Sequence, residues 1–303
     1  MSPVQNIQRS LLAIAIGVAC SASSAFAQSL PLSFGANGRL GAGYTDEVSG
    51  AGVFFFGDAT SRLSLNNTTL GFELGLYGLA NAADTPHETY GTFTWDFSQG
   101  GKLLVGVTRP AFDSFAESAF DALLPSLGVA NTAATRSQAT YGAMYAGFLP
   151  YGLRYEAATE KMRYAASIAT VPNRDTTIAG LGLAFPIGQV TLESALEVSW
   201  GSTTEVAGKV QLKGALGRVN AGLGLYLPGT VGGPELVEVF ASFAPADKTT
   251  IAGVLQVPFH GGSDPTIGIS ARYDLSPSAG FSVGILSDAG AEAAYSAYVD
   301  WSF

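Results

Sequence analysis

The stretch Glu292-Ala293-Ala294-Tyr295-Ser296-Ala297-Tyr298-Val299-Asp300-Trp301-Ser302-Phe303 decides the fold. Counting back from Phe303, every second residue is apolar or aromatic: Trp301, Val299, Ala297 and Tyr295. The residues between them, Ser302, Asp300, Tyr298, Ser296 and Ala294, are mostly polar or small. A strand alternates faces with period two, so one side of this segment wants hydrocarbon and the other can meet water. A half-buried soluble strand would show the same alternation, so its meaning depends on the rest of the chain. At the opposite end Arg9 precedes the apolar run Leu11 to Ala19, and Ala25-Phe26-Ala27 follows. A basic start, a short apolar stretch and an A-x-A site predict a secretory signal peptide over 1–27, with the working domain over 28–303. The run is too short for a membrane helix, which needs roughly 20 apolar residues. Cys20 raises a lipid-anchor alternative, but Gly17-Val18-Ala19 lacks the usual leucine at its first position.

An exported chain that ends on an alternating strand with a terminal aromatic resembles bacterial outer-membrane barrels, whose last strand carries the assembly signal. Phe303 and Trp301 are the residues of that signal here, and the barrel assembly machinery is the partner it implies. Cleavage after Ala27 removes Arg9 and Cys20, leaving 14 basic against 24 acidic residues, a net charge of −10, and no cysteine. Disulfides and thiolate metal sites are thereby excluded, and the negative charge argues against nucleic acid as a partner. The chain is 47% apolar with no long apolar run after the leader, and only 13% of its residues are charged. Soluble domains carry about 25%. A lipid-facing surface explains the deficit, and 38 glycines suit a tightly curved sheet.

Period-two segments separated by Gly, Pro, Asn, Asp and Ser predict sixteen strands. They fall near 32–45, 54–66, 69–80, 88–97, 102–109, 150–158, 161–171, 177–185, 189–200, 204–215, 218–226, 235–244, 248–258, 265–275, 279–287 and 293–303. Leu70, Leu74, Phe93, Trp95, Leu196, Trp200, Ile267 and Ile269 share one parity; Glu73, Thr92, Thr94, Glu193, Glu197, Ser270 and Arg272 share the other. Short turns alternate with generally longer loops, 201–203 being the one short member of the second set. A transmembrane barrel with both ends inside requires that alternation. The predicted fold is therefore all-β, an antiparallel transmembrane barrel. About 16 strands leave an aqueous channel, and lipid forbids an unpaired edge, so the first strand must close on the last.

Residues 110–149 form the one connection far longer than a turn, which at such lengths is usually functional. Ser114-Phe115-Ala116-Glu117 has the form of a capping box. Phe115, Phe120, Leu123 and Leu124 then give a short apolar helix face, limited by Pro125, with Asp113, Glu117 and Asp121 on another face. Gln138 to Gly147 is predicted as an extended return limb, because a seventeenth strand would break the parity.

The sequence Arg109-Pro110-Ala111-Phe112-Asp113-Ser114-Phe115, after a short fifth strand, resembles the start of the inward-folded third loop of general porins of the alphaproteobacterial type. Asn37-Gly38-Arg39-Leu40-Gly41 and Ser61-Arg62-Leu63-Ser64-Leu65-Asn66 resemble that family's opening strands, although this second strand has a single arginine. The resemblance implies a homotrimer of water-filled channels in outer-membrane lipid, each narrowed by the third loop. Parity directs Arg39, Arg62, Arg154, Arg163, Lys209, Lys213 and Arg272 inward. Set against Asp113, Glu117 and Asp121, they would form a transverse field that favours polar solutes. The alternative at each position is simple pairing with Glu73, Glu156, Glu193 or Glu197.

A general diffusion channel for small hydrophilic solutes and ions, weakly preferring cations, is the function these readings favour. A solute-specific channel, a barrel adhesin and a barrel hydrolase are the alternatives. An enzyme is disfavoured because His87 and His260 are the only histidines and both fall in predicted outer loops. A sugar-specific channel would want aromatics along the lumen, whereas most here have outward parity. No cofactor is implied beyond a weak case for Ca²⁺ at Asp46-Glu47, which lacks a defined ligand spacing. Deleting Phe303 should lower the yield of assembled barrel, read as the heat-modifiable band on a gel; an undiminished yield would remove Phe303 from the assembly signal.

Overall fold

The computed structural model describes residues 32–46, 51–80, 87–98, 100–125, 135–172, 174–229, 234–259, 264–288 and 292–303. The leader over 1–27 with Cys20, and the loop residues Glu47 and His260, lie outside them. The strands are β1 (Leu32–Thr45), β2 (Gly52–Leu65), β3 (Leu70–Ala80), β4 (His87–Asp96), β5 (Gly101–Val107), β6 (Tyr151–Ala158), β7 (Arg163–Val171) and β8 (Thr176–Ile187). They continue as β9 (Val190–Trp200), β10 (Thr204–Leu216), β11 (Val219–Leu227), β12 (Leu236–Ala246), β13 (Thr249–Pro258), β14 (Thr266–Asp274), β15 (Ala279–Asp288) and β16 (Ala294–Ser302). Every predicted strand end lies within two residues of the observed one. His87, expected in a loop, instead opens β4 opposite Gly78.

Each strand pairs antiparallel with its sequence neighbours, and β1 closes on β16. That seam runs from Arg39 opposite Ser302 to Thr45 opposite Ser296. Phe303 extends it by one pair: its N–H donates to the Gly38 carbonyl and its own carbonyl accepts from Gly38, both at 3.1 Å. The terminal aromatic therefore seals the cylinder through its backbone, while its ring lies 5.6 Å from that of Trp301. One irregularity falls between Phe243 and Ala246 in β12, where Pro245 has no N–H to give the ladder and the register shifts.

The predicted parity is the observed one. Leu70, Leu74, Phe93, Trp95, Leu196, Trp200, Ile267 and Ile269 are exposed on the outer face, Phe93 most of all at 70%. Thr92, Thr94, Glu193, Glu197 and Ser270, which alternate with them, are buried inside. An apolar exterior around a polar interior inverts the usual soluble arrangement and matches hydrocarbon outside with water within. Some aromatics depart from the outward expectation: Phe54, Phe56 and Tyr298 cluster on the inner wall, the Phe56 and Tyr298 rings 5.3 Å apart and edge to face. Leu196 sits at the middle of β9, between Leu181 and Gly208. Leu196→Arg should destabilise the barrel by about 2–4 kcal/mol, measured by denaturant titration of the protein refolded into vesicles. A cost near zero would mean that this face does not meet lipid.

Candidate functional site

After β5 the chain turns inward at Pro110, and the residues that follow have no strand beside them. Non-helical backbone inside a barrel survives only when its amides and carbonyls find partners on the wall. Three wall glutamates take the amides. Glu193 accepts the Ala116 N–H at 2.9 Å, Glu238 the Ala119 N–H at 2.9 Å, and Glu197 the Gln138 N–H at 2.8 Å. Glu238 and Glu197 also accept the hydroxyls of Ser118 and Ser137, each at 2.5 Å. Wall donors take the carbonyls: Arg154 holds those of Arg109 and Pro110 at 2.8 and 3.2 Å, Lys209 that of Thr135 at 2.7 Å, and Gln211 that of Glu117 at 2.8 Å.

Apolar contacts seat the same segment. Phe112 and Phe115 pack on Ala165, Ala184, Ala195 and Ala207, and Phe120 with Leu124 on Val254 and Leu286. Three wall glycines make room: a Cβ at Gly182 would lie 2.0 Å from the Phe115 ring, and one at Gly284 or Gly268 would lie 2.2 or 2.5 Å from Leu124. The loop thus follows the inner wall from β6 round to β16, where Tyr298 meets the Leu123 carbonyl.

Two local expectations are corrected. The capping box does not form. Ser114 closes a short 3-10 turn, Phe112–Ser114, and its hydroxyl accepts from Arg154 at 2.9 Å. Phe115, extended, ends the turn, and Ala116 then takes a left-handed φ of 47° with its N–H held by Glu193. Helix α1 begins later, over Ala119–Leu123, with Ser118 as its N-cap. The return limb is not extended either: Gln138–Ala143 is a π-helical turn and Met144–Ala146 a 3-10 turn. Ser137 caps the first of these by accepting the Ala139 N–H at 3.0 Å.

The predicted lumen residues separate into two groups. Asp113 is fully buried and does not face a passage; it accepts the Ser137 N–H at 2.6 Å and the Thr140 hydroxyl at 2.5 Å, joining the two limbs of the loop. Arg154 and Lys209 are buried clamps on the loop, with the Lys209 ammonium 4.4 Å from the Phe112 ring centroid. Arg163 lies over Phe115 at 4.9 Å and pairs with Glu193 at 3.4 Å, which Lys213 also reaches at 2.8 Å. Arg62 pairs with Asp96, and Arg272 with Asp274 and Asp300 at 2.8 and 2.5 Å. Of the predicted set, Arg39, Glu117 and Asp121 line a cavity of about 200 Å³ between the loop and β1 to β3, while Arg154 and Arg163 line a second, of about 420 Å³, beside Ser114 and Phe115.

Sequence reading missed three charged residues of the first cavity, Asp58, Arg109 and Arg136. Two signals for them were present. Asp58 has the parity of Arg62, and Arg136 is the one basic residue in 110–149. Arg136 is buried and joins Asp121 at 3.0 Å to Glu88 at 3.6 Å, with its guanidinium 4.6 Å from the Tyr77 ring centroid. Tyr77 donates its hydroxyl to Asp121 at 2.9 Å, and Arg109 pairs with Glu117 at 3.2 Å. Both signs of charge therefore stand on both sides of the passage. This replaces the expected basic wall facing an acidic loop, because Arg154 and Lys209 hold loop carbonyls and Arg62, Arg163, Lys213 and Arg272 pair with wall carboxylates. Asp46, of the pair weighed for Ca²⁺, accepts the Tyr295 N–H. Among the described residues no group of three His, Cys, Asp or Glu is placed to hold a metal.

No protein-family model matches the chain, and no curated protein matches it significantly. Solved structures do. A mutant of the Rh. blastica porin matches at 17% identity with a TM-score of 0.68, covering 89% of this chain and 100% of that one. A triple mutant of the Rhodopseudomonas blastica porin matches at 18% identity with a TM-score of 0.67, covering 90% and 100%. A structure described under the asymmetric conductivity of engineered proteins matches at 18% identity with a TM-score of 0.66 over the same shares. The likeness establishes the fold as that of a porin barrel.

Burial by itself would raise the pKa of Glu117, but Arg109, then Arg136, Lys209 and Lys213, outweigh it and hold the carboxyl below its usual value. Its pairing with Arg109 is therefore fully present above the unfolded pKa and is lost only as pH falls through the lowered folded value. Because Glu117 is half-exposed, solvent keeps that contribution small. Glu117→Gln should shift the reversal potential in a salt gradient nearly as much at pH of about 4.5, where an ordinary glutamate is roughly half protonated, as at neutral pH. A shift that halves on acidification would show an unperturbed carboxyl.

Proposed function

We propose that the protein is an outer-membrane diffusion channel that passes small hydrophilic solutes and ions, and is not an enzyme. The observation that carries this reading is the charged, open space left between the loop and β1 to β3 inside a closed barrel with an apolar exterior. A barrel filled by side chains would have no such space. Placement in outer-membrane lipid, export by the 1–27 leader, insertion by the barrel assembly machinery and association as a homotrimer belong to the same proposal. They are supported by the terminal strand and by the resemblance in its opening strands and third loop. No cofactor enters it. The six charges at the passage balance, three acidic and three basic, so ion selectivity should be weak, with the net negative charge tilting it toward cations.

Purified protein in planar bilayers should give discrete conductance steps. Liposome swelling should be fast with monosaccharides and fall steeply as sugar size rises. Insertion without conductance would overturn the channel reading, and a sharp preference among sugars of equal mass would favour a sugar-specific channel.

A further inference from the structure

The charges along the passage are not equally satisfied. Glu117 has Arg109, Asp121 has Arg136 and Tyr77, and Arg39 has Asp300 at 3.0 Å. Asp58, in β2, is exposed to the lumen, and its carboxylate forms no hydrogen bond or ion pair among the described residues. Arg109 is the complementary case. Its guanidinium makes one hydrogen bond, to Glu117, and its Nε is buried without an acceptor. A guanidinium carries five N–H donors in a fixed fork that suits a carboxylate. Arg109 and Asp58 line the same cavity.

A free anion and an under-used cation in one small cavity select by charge pattern. A monocation drawn to Asp58 meets Arg39, Arg109 and Arg136 in the same space, and a monoanion drawn to Arg109 meets Asp58. A neutral solute gains nothing from either while displacing the water that hydrates both. A solute with an ammonium at one end and a carboxylate at the other matches both at once. The cavity, about 200 Å³, is smaller than the roughly 300–1,000 Å³ that houses drug-sized ligands. That size fits an amino acid.

We propose that the passage is a recognition station for small zwitterions, holding the ammonium at Asp58 and the carboxylate at Arg109. The proposal rests on the channel reading and names its preferred solute class. The test uses the full-length protein in proteoliposomes with four solutes of near-equal size: alanine (zwitterion), alaninamide (cation), lactate (anion) and lactamide (neutral). At low concentration alanine should cross about three to ten times faster than lactamide, the scale of one or two partly screened ion pairs, and its flux should saturate. Asp58→Asn should bring the alanine-to-lactamide ratio close to one, while Asp58→Glu should retain most of the preference and serve as the folding control. Equal, unsaturated alanine and lactamide fluxes would overturn the station and leave the channel standing, as would faster passage of lactate or alaninamide than of alanine. A preference that survives Asp58→Asn would overturn the assignment of Asp58. Absence of flux for all four solutes would overturn the channel itself, and the station with it.

Discussion

The interaction on which the rest of this structure depends is the hydrogen bonding of an irregular loop by the side chains of the barrel wall. A barrel satisfies its strands through their ladders, but a segment folded into the lumen has no ladder. Here Glu193, Glu197 and Glu238 accept its free amides, and Arg154, Lys209 and Gln211 donate to its carbonyls. Charge-assisted bonds of this kind are about twice as strong as neutral ones. They also place each acid or base where another role for it is closed off.

That commitment shapes the passage. With several wall cations turned to the loop, the opening beside β1, β2 and β3 is lined by a small, mixed set of charges instead of two opposed banks. Arg136 shows the economy of the arrangement: a single buried guanidinium joins α1 through Asp121 to β4 through Glu88 and covers the Tyr77 ring. Fixing both limbs of the loop against the wall holds the aperture at one size.

Apolar seats complete the docking. The alanines beneath Phe112 and Phe115, and the absent Cβ atoms at Gly182 and Gly284, let bulky loop side chains lie close to the sheet. A few of the small residues that first suggested a curved sheet thus have a second use, as recesses for the loop.

The barrel itself was legible from the chain. Period-two alternation and turn chemistry are local, so strand positions and the inward and outward faces follow from neighbours in sequence, and the closure of β1 on β16 follows from the rule that no sheet edge stays unpaired in lipid. The inward parity of Arg39 was legible from the same alternation, and the importance of 110–149 from its length alone. What only the tertiary structure decided was the use of each inward charge. Asp113 was read as lining the lumen and is a staple within the loop; Arg154 and Lys209 were read as a basic wall and hold loop carbonyls. Arg136 and Asp58 reached the passage although neither had been assigned to it. The physical reason is range: alternation tells which side of a strand a residue occupies, while the groups that hold the loop, such as Glu193 to Ala116 or Lys209 to Thr135, lie tens of residues from it in sequence and are chosen by packing across the barrel.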